Sequence, residues 1–247
     1  MSDLRDLHRH WLVWVAPDHH AAISSQVGSP GLRVPVRDFL AAGWPLVVRR
    51  QTGIDGEHVA RGSSIAVGMP LPPSQGKLRL AFSVLPEWII RTAPPLELAE
   101  AIPHLPLAWR APLQQLIRGA EAIDIGFRVY GSAAWEALTG VPYLAFRSDL
   151  DLLWQSTSEA QIDAGVALLS AWETQTGFVA DGEICFGDDA AVAWREWSNW
   201  RQAPGITHRI LMKTLRGAEL VAPSDVIALA TRRTCSGDGD SCRSTFF

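Results

Sequence analysis

The sequence predicts an α/β protein of the α+β type, with a smaller N-terminal part and a larger C-terminal part. Short apolar or alternating segments, typical of strands, recur along the 247 residues. Residues 159–174 have the apolar spacing of one long amphipathic helix. Five prolines between residues 86 and 106 separate two strand-rich regions. Together these observations favour two domains of mixed secondary structure.

The N-terminal part, residues 1–115, is predicted to be a small α+β domain. Its short helix, residues 36–42, is expected to end at Gly43, a residue typical of helix ends. We place the domain boundary near residue 115, because the proline-rich segment and a helix at residues 108–120 connect the two parts. The predicted strands of this domain are residues 11–15, 45–50, 63–69 and 77–84.

The C-terminal part, residues 116–231, has clearer alternation. Gly131-Ser132 is expected to turn the chain between a strand and a short helix. Residues 232–247 have no apolar period and many Gly and Ser residues, which predicts a disordered tail. The predicted strands are residues 123–130, 148–153, 177–186, 190–197 and 207–214, and the predicted helices are residues 133–138, 159–174 and 223–230.

Composition excludes several classes of function. The formal net charge is −4, so the basic excess of a nucleic-acid-binding protein is missing. No segment approaches the roughly 20 apolar residues of a membrane span, and no apolar segment of a signal peptide follows the N-terminus. Three cysteines are few, which fits a reducing compartment. We therefore expect a cytoplasmic protein without nucleic-acid or membrane partners.

Asp149 and Asp151 lie one residue apart on a predicted strand, so their side chains point to the same face. Leu150 and Leu152 point to the other face, into a core. Two neighbouring carboxylates repel each other, and a divalent cation between them relieves that repulsion. Because Mg²⁺ takes one or two carboxylates together with water and substrate phosphates, the pair predicts a Mg²⁺ site.

Gly131 and Ser132 precede this strand and predict a phosphate-binding turn. Glycine lets the backbone approach phosphate oxygens, and the N–H groups at the start of the following helix favour the same anion. Ser132 can add a hydrogen bond. An isolated Asp-x-Asp pair is more often a solvated strand edge. Its position after a strand, this turn and a helix favours a site that transfers a phosphoryl group.

Four cations are candidate contacts for an anionic substrate. Lys213 lies in an apolar strand, where an unpaired ammonium is costly, so we expect a phosphate or carboxylate partner. Arg49 and Arg50 end a predicted strand, and Lys77 follows a tight Pro-Ser-Gln-Gly turn. A solvated surface cation is the alternative interpretation at these positions.

The order of these motifs resembles a known superfamily. Gly131-Ser132 followed by Asp149-Leu150-Asp151-Leu152 resembles the Gly-Ser … Asp-x-Asp signature of the polymerase-beta-like nucleotidyltransferases. The gap of residues 133–148 is longer than is usual in that superfamily. The same long gap is shared by a narrower family, the phosphoribosyl-dephospho-CoA transferases of malonate decarboxylase, also called malonate decarboxylase holo-acyl-carrier-protein synthases.

The resemblance to this narrower family covers nearly the whole chain up to about Arg232. It therefore implies the family's fold, a mixed nucleotidyltransferase-like sheet with helices, in the C-terminal domain. The segments that carry the resemblance are residues 9–14, 47–50, 71–77, 130–140, 143–144, 148–153, 181–184, 191–196 and 211–214.

The resemblance also implies an activity. The family transfers the prosthetic group 2′-(5″-triphosphoribosyl)-3′-dephospho-CoA to a serine of the apo acyl-carrier subunit of malonate decarboxylase, forming a phosphodiester and releasing diphosphate. Asp149 and Asp151 match the family's acidic motif, with its catalytic and metal-binding role. Nucleotidyltransferases usually have a third carboxylate on a neighbouring strand. The candidates are Asp181, Glu183 and Glu196, and we favour Glu183 because it lies deeper in its strand.

Two other functions remain open from the sequence. The acidic motif also suits another Mg²⁺-dependent nucleotidyltransferase that transfers AMP from ATP. A carrier-binding subunit without catalytic activity is the third alternative, in which the two aspartates bind no metal.

Overall fold

A computed structural model describes residues 7–51, 64–145, 147–187, 189–203 and 208–231. The predicted tail, residues 232–247, lies outside these ranges. The chain divides into two compact units. The first comprises residues 1–95 together with Leu215–Gly217, and the second comprises Leu96–Thr214 and residues 218–247.

Within the described residues, the first unit contains a five-stranded antiparallel sheet in the order β4-β3-β2-β1-β5. Helices α1 and α2 contact each other, and α1 also contacts β4. Their buried side chains include Ile23, Val36 and Phe39. The elements are β1 Leu12–Val15, α1 His20–Ser25, α2 Pro30–Ala41, β2 Leu46–Val48, β3 Ile65–Pro70, β4 Arg79–Val84 and β5 Ile89–Ala93.

The described part of the second unit contains a seven-stranded mixed sheet in the order β12-β11-β10-β9-β8-β7-β6. Neighbouring strands are antiparallel except β8 and β9, which are parallel. The strands are β6 Leu96–Glu97, β7 Phe127–Val129, β8 Leu150–Gln155, β9 Ala180–Phe186, β10 Ala190–Ala193, β11 Ile210–Lys213 and β12 Ala218–Val221. The helices are α3 Leu98–Ala101, α4 Leu107–Glu121, α5 Gly131–Thr139, α6 Glu159–Thr176, α7 Trp194–Gln202 and α8 Pro223–Thr231.

One face of this mixed sheet carries the hydrophobic core of the second unit. Leu150, Leu152 and Trp154 of β8 belong to it, as do Ala180 and Ile184 of β9. Residues from the helices of this unit complete the same core. The alternate residues of β8 and β9 point to the opposite face, where the charged side chains lie. The predicted α+β class, with a mixed sheet in the C-terminal part, is thereby confirmed.

The start and the end of helix α6 are determined by local residues. Ser158 caps its start, because the hydroxyl oxygen accepts a hydrogen bond from the Gln161 backbone N–H at 3.2 Å. Gly177 ends it in a left-handed conformation, with φ of 73°. The predicted apolar face is confirmed, since its residues are buried: Ile162, Val166, Leu169 and Trp172.

The predicted strand over residues 190–197 is wrong in its second half. The β9–β10 hairpin forms, but β10 ends at Ala193 and α7 begins at Trp194. Trp194 and Trp197 are three residues apart and both are buried, which is the spacing of a helix face. Burying both indoles against the core therefore favours a helix over a continued strand.

The division between the units lies between Pro95 and Leu96, whereas the prolines suggested a boundary near residue 115. The reason is the packing of α4, which spans the expected boundary. Trp109, Leu113 and Leu116 of α4 are buried in the core of the second unit. The prolines at residues 103 and 106 therefore break up the start of the second unit.

None of the helices in the described residues combines the length and apolar character that crossing a bilayer requires.

The close approach of β8 and β9 generates a prediction about Gly182. A Cβ added at Gly182 would lie 2.5 Å from the backbone carbonyl oxygen of Leu152, which cannot move without disturbing the sheet. We expect Gly182→Ala to lower the free energy of unfolding by about 1–3 kcal/mol, measured by urea denaturation.

Gly119→Ala is the matched control. A Cβ at Gly119 would lie 2.5 Å from Cδ1 of Leu168, the far end of a flexible side chain. Alanine also gains roughly 1 kcal/mol in a helix interior, so the change in stability should stay within about 1 kcal/mol. Equal losses for the two variants would contradict the close strand approach.

Candidate functional site

The first part of the site lies at the beginning of β8. Asp149 directly precedes the strand and Asp151 is its second residue. Leu150 and Leu152 between and after them are fully buried in the core. Their burial confirms that the leucines point into the core. Asp149 is exposed and Asp151 half-buried, so both carboxylates are accessible from the opposite side.

Strand β9 adds a third carboxylate. The parallel pairing sets Asp151 directly beside Asp181. Asp149, Asp151 and Asp181 each offer a carboxylate oxygen, and these oxygens all lie within 4.8 Å of one another. Like charges this close are unfavourable unless a cation lies between them. We call these three residues the aspartate cluster, and it can hold a metal ion.

Gly131 brings the start of α5 against this cluster. It has φ of 63°, a conformation that favours glycine. A Cβ added at Gly131 would lie 2.6 Å from Cγ of Asp151 and would overlap its carboxylate. The backbone N–H of Tyr130 also donates to the carbonyl oxygen of Asp151 at 3.0 Å. Gly131 therefore leaves room for the Asp151 carboxylate beside the helix.

Gly131 and Ser132 were predicted to form a turn before the helix, and this prediction is wrong. They are the first two residues of α5, and Tyr130 is its N-terminal cap residue. Ser132 is half-buried. The N–H groups of this first turn have no partner within the helix and form the positive end of its dipole. This end lies next to the aspartate cluster through the contact of Gly131 with Asp151.

Glu183, the favoured third carboxylate, is not a member of the aspartate cluster. Its carboxylate accepts a hydrogen bond from Nζ of Lys213 at 2.9 Å, and only 6% of its side chain is exposed. A buried carboxylate is costly unless it is paired, and Lys213 supplies that pairing. Asp181, two residues earlier on the same strand, is exposed and lies with the other aspartates.

Glu196, the last candidate, has a structural contact. Its carboxylate accepts a hydrogen bond from the backbone N–H of Leu211 at 2.7 Å, which joins α7 to β11. The sequence contained no signal that separates Asp181 from Glu183, because the choice depends on the register of β8 with β9. Asp151 and Asp181 are each the second residue of their strands, and parallel neighbours in this register place such residues side by side.

The loop after α5 is held by a contact that was not predicted from the sequence. The carboxylate of Glu136 accepts hydrogen bonds from the backbone N–H groups of Tyr143 at 2.9 Å and Leu144 at 2.8 Å. Tyr143 is buried, and this burial raises the pKa of its phenol to about 12. A glutamate shortly before a Gly-Val-Pro segment was the available signal for such a loop anchor.

The other predicted cations belong to the first unit. Arg49 and Arg50 follow β2 and are exposed. The side chain of Arg49 lies over Gly68, with its Cδ 3.2 Å from the position of an added Cβ. Lys77 is exposed in the β3–β4 turn and has a positive φ of 52°. Their contact with a substrate stays a prediction.

Two protein families match the two halves of this chain. The phosphoribosyl-dephospho-CoA transferase MdcG N-terminal domain matches residues 8–95, and the phosphoribosyl-dephospho-CoA transferase MdcG C-terminal domain matches residues 97–224. The junction between these matches coincides with the division between the two units. No solved structure matches the chain.

Curated relatives carry the same name, phosphoribosyl-dephospho-CoA transferase. The protein of Xanthomonas campestris pv. campestris (strain 8004) is 39% identical over 213 residues, covering 86% of this chain and 93% of the relative. The protein of Bradyrhizobium diazoefficiens is 36% identical over 233 residues, covering 90% and 93%. The protein of Klebsiella pneumoniae subsp. pneumoniae is 30% identical over 225 residues, covering 86% and 93%.

These matches confirm the resemblance found in the sequence, and they span both units and every strand of the aspartate cluster. The chain therefore belongs to the phosphoribosyl-dephospho-CoA transferase family.

Proposed function

We propose that this transferase moves the 2′-(5″-triphosphoribosyl)-3′-dephospho-CoA group to a serine of the apo acyl-carrier subunit of malonate decarboxylase, in the cytoplasm. The observation that supports it is the aspartate cluster beside the first turn of α5. That arrangement suits a substrate with several phosphates, and the family name supports a dephospho-CoA derivative.

The donor set of the cluster suits Mg²⁺. Its three members, Asp149, Asp151 and Asp181, all offer carboxylate oxygens, which hard divalent cations prefer. Asp149 and Asp181 are exposed, so water and substrate phosphates have room to complete the coordination. When bound there, Mg²⁺ would neutralise charge on the phosphate groups of the substrate.

In the proposed reaction, a bond forms between the carrier serine Oγ and the phosphorus nearest the ribose. The bond from that phosphorus to the leaving diphosphate breaks. One carboxylate of the aspartate cluster takes the proton of the serine hydroxyl. The N–H groups at Gly131 and Ser132, at the positive end of α5, stabilise the phosphate oxygens.

The cations outside the cluster are proposed substrate contacts. Lys213 lies on the same sheet as the cluster and faces the same side as Glu183. Arg49, Arg50 and Lys77, on the first unit, are proposed to contact other anionic groups of the substrate. Arginine and lysine suit this role because both stay charged at neutral pH and donate to phosphate oxygens.

Replacing the aspartates tests the proposed reaction. We expect Asp149→Asn and Asp151→Asn each to slow transfer roughly 100-fold or more, because amides hold a divalent cation poorly and stabilise the developing charge less. The mass increase of the apo carrier protein, incubated with the triphosphoribosyl-dephospho-CoA substrate and Mg²⁺, measures transfer. A circular dichroism spectrum should show that the fold is retained.

Asp38→Asn, an exposed aspartate on α2, is the control and should leave the rate unchanged. Normal transfer by both cluster variants would overturn the proposed function. Labelling of a product by ATP in the absence of carrier protein would instead support transfer of AMP.

Gly131 allows a test of the contact between α5 and the cluster. Gly131→Ala should reduce transfer roughly tenfold or more, since the new Cβ displaces the Asp151 carboxylate. Gly140→Ala separates this effect from backbone strain. Gly140 also has a positive φ, of 69°, but an added Cβ there meets nothing within 4 Å.

Both alanine variants should lose about 1–2 kcal/mol of stability from the left-handed backbone, measured by thermal unfolding. Only Gly131→Ala should also raise the Mg²⁺ concentration that is required for half-maximal transfer. Equal effects of both variants on transfer would show that the Asp151 contact has no part in the reaction.

A further inference from the structure

We propose that Lys213 binds the diphosphate portion of the substrate and that Glu183 is the positioning residue that holds Lys213 in place. This inference rests on the function proposed above and names a role for Glu183, a buried carboxylate outside the aspartate cluster. It follows from the sheet register, from the burial of the two side chains, and from the position of Glu183 two residues after Asp181 on β9.

The register places both side chains on one face of the sheet. Strand β10 lies between β9 and β11, with Ala193 opposite Glu183 and Ala191 opposite Lys213. Lys213 therefore reaches diagonally across β10 to bring its Nζ within 2.9 Å of the Glu183 carboxylate. Alanines at both crossing positions leave space for this path, because a larger side chain on β10 would occupy it.

The pair is buried unequally. Glu183 has only 6% of its side chain exposed, while 32% of the Lys213 side chain is exposed. The lysine therefore compensates the charge of this buried carboxylate. The ammonium has three N–H donors, of which the bond to Glu183 uses one. Its partial exposure lets the remaining donors face a ligand.

The partner of the ammonium lies on the same strand as one member of the aspartate cluster. Glu183 follows Asp181 by two residues on β9, which places it on the same face and on the order of 7 Å further along the strand. A phosphate chain that meets the cluster at one end can thus extend toward Lys213. The aspartate cluster repels the phosphate groups of the substrate unless cations compensate its charge. The Lys213 ammonium is such a cation, and it attracts the charged diphosphate more strongly than the neutral serine hydroxyl of the carrier.

A purely structural role would give the same ion pair, so the experiment must separate the two. Lys213→Met alone removes the cationic partner of a buried carboxylate and destabilises the protein. The double variant Glu183→Gln/Lys213→Met removes both charges together. Replacing both members of a buried ion pair with neutral residues is often harmless to stability. If the pair served only the fold, the double variant would recover both stability and function.

We therefore expect the double variant to fold with nearly the stability of the wild type but to bind phosphate groups poorly. The KM for the triphosphoribosyl-dephospho-CoA substrate and the inhibition constant of added inorganic diphosphate should both rise roughly tenfold or more, as expected from losing one hydrogen bond to a charged group. In Glu183→Gln alone, where the ammonium remains but its anchor is weakened, the KM should rise while kcat changes little.

Arg201→Met is the control for loss of a cation. Arg201 pairs with Glu159 at 2.9 Å between α7 and α6, so KM and diphosphate inhibition should stay unchanged. A double variant whose diphosphate inhibition stays within about twofold of the wild type would overturn the role of Lys213 while leaving the proposed transfer intact. A wild-type protein that neither transfers the group nor responds to diphosphate would overturn the proposed function itself.

Discussion

The parallel pairing of β8 with β9 is the constraint on which the rest of the site depends. It sets Asp151 beside Asp181 and, on the other face, aligns the buried residues Leu150 and Ala180. Moving either strand by one residue would send carboxylates into the core and apolar side chains to the surface. The unfavourable approach of Asp151 and Asp181 is therefore fixed by the burial of their apolar neighbours, which contributes more free energy than the repulsion between the two carboxylates costs.

The carboxylates on this face of the sheet fall into two groups, which differ in how deeply they are buried. Asp149 and Asp181 are exposed at the strand starts, where water shields them and a cation can enter. Glu183 is two residues deeper and nearly excluded from water, so it requires a counter-ion supplied by the protein. Lys213 is that counter-ion. Asp149 and Asp181 are thus left to the solvent or a cation, and the buried carboxylate of Glu183 has a counter-ion from the protein.

Alternation along single strands could be predicted from the sequence, and pairing between strands could not. The faces of Asp151 and Leu152 followed from a period of two residues, and the buried face of α6 from a helical period. Alternation also put Asp181 and Glu183 on one face, but it says nothing about the register with β8 or about depth. The choice between Asp181 and Glu183 depends on which residue of β8 lies opposite each of them. That register is a property of the tertiary structure.

The end of β10 could also not be predicted from local sequence alone. The residues before Ala193 are apolar, whereas Arg195 and Glu196 after it are charged, and this change was not taken as the end of the predicted strand. The decision comes from the core, since Trp194 and Trp197 are both buried only if the chain turns helical there. Propensity is a weak constraint where two large aromatic side chains have to be buried.

The long gap between the two halves of the Gly-Ser and Asp-x-Asp signature also has a physical explanation. Gly131 meets Asp151 because β7 pairs with β8 and because the Tyr130 N–H donates to the Asp151 carbonyl. Most of α5 lies between the two motifs, and Glu136 of this helix holds Tyr143 and Leu144 of the following loop. Extra length in that loop therefore leaves the contact unchanged. The proposed chemistry requires that Gly131 and Asp151 lie close together, and the pairing of β7 with β8 ensures this. The number of residues between them in the sequence can therefore vary.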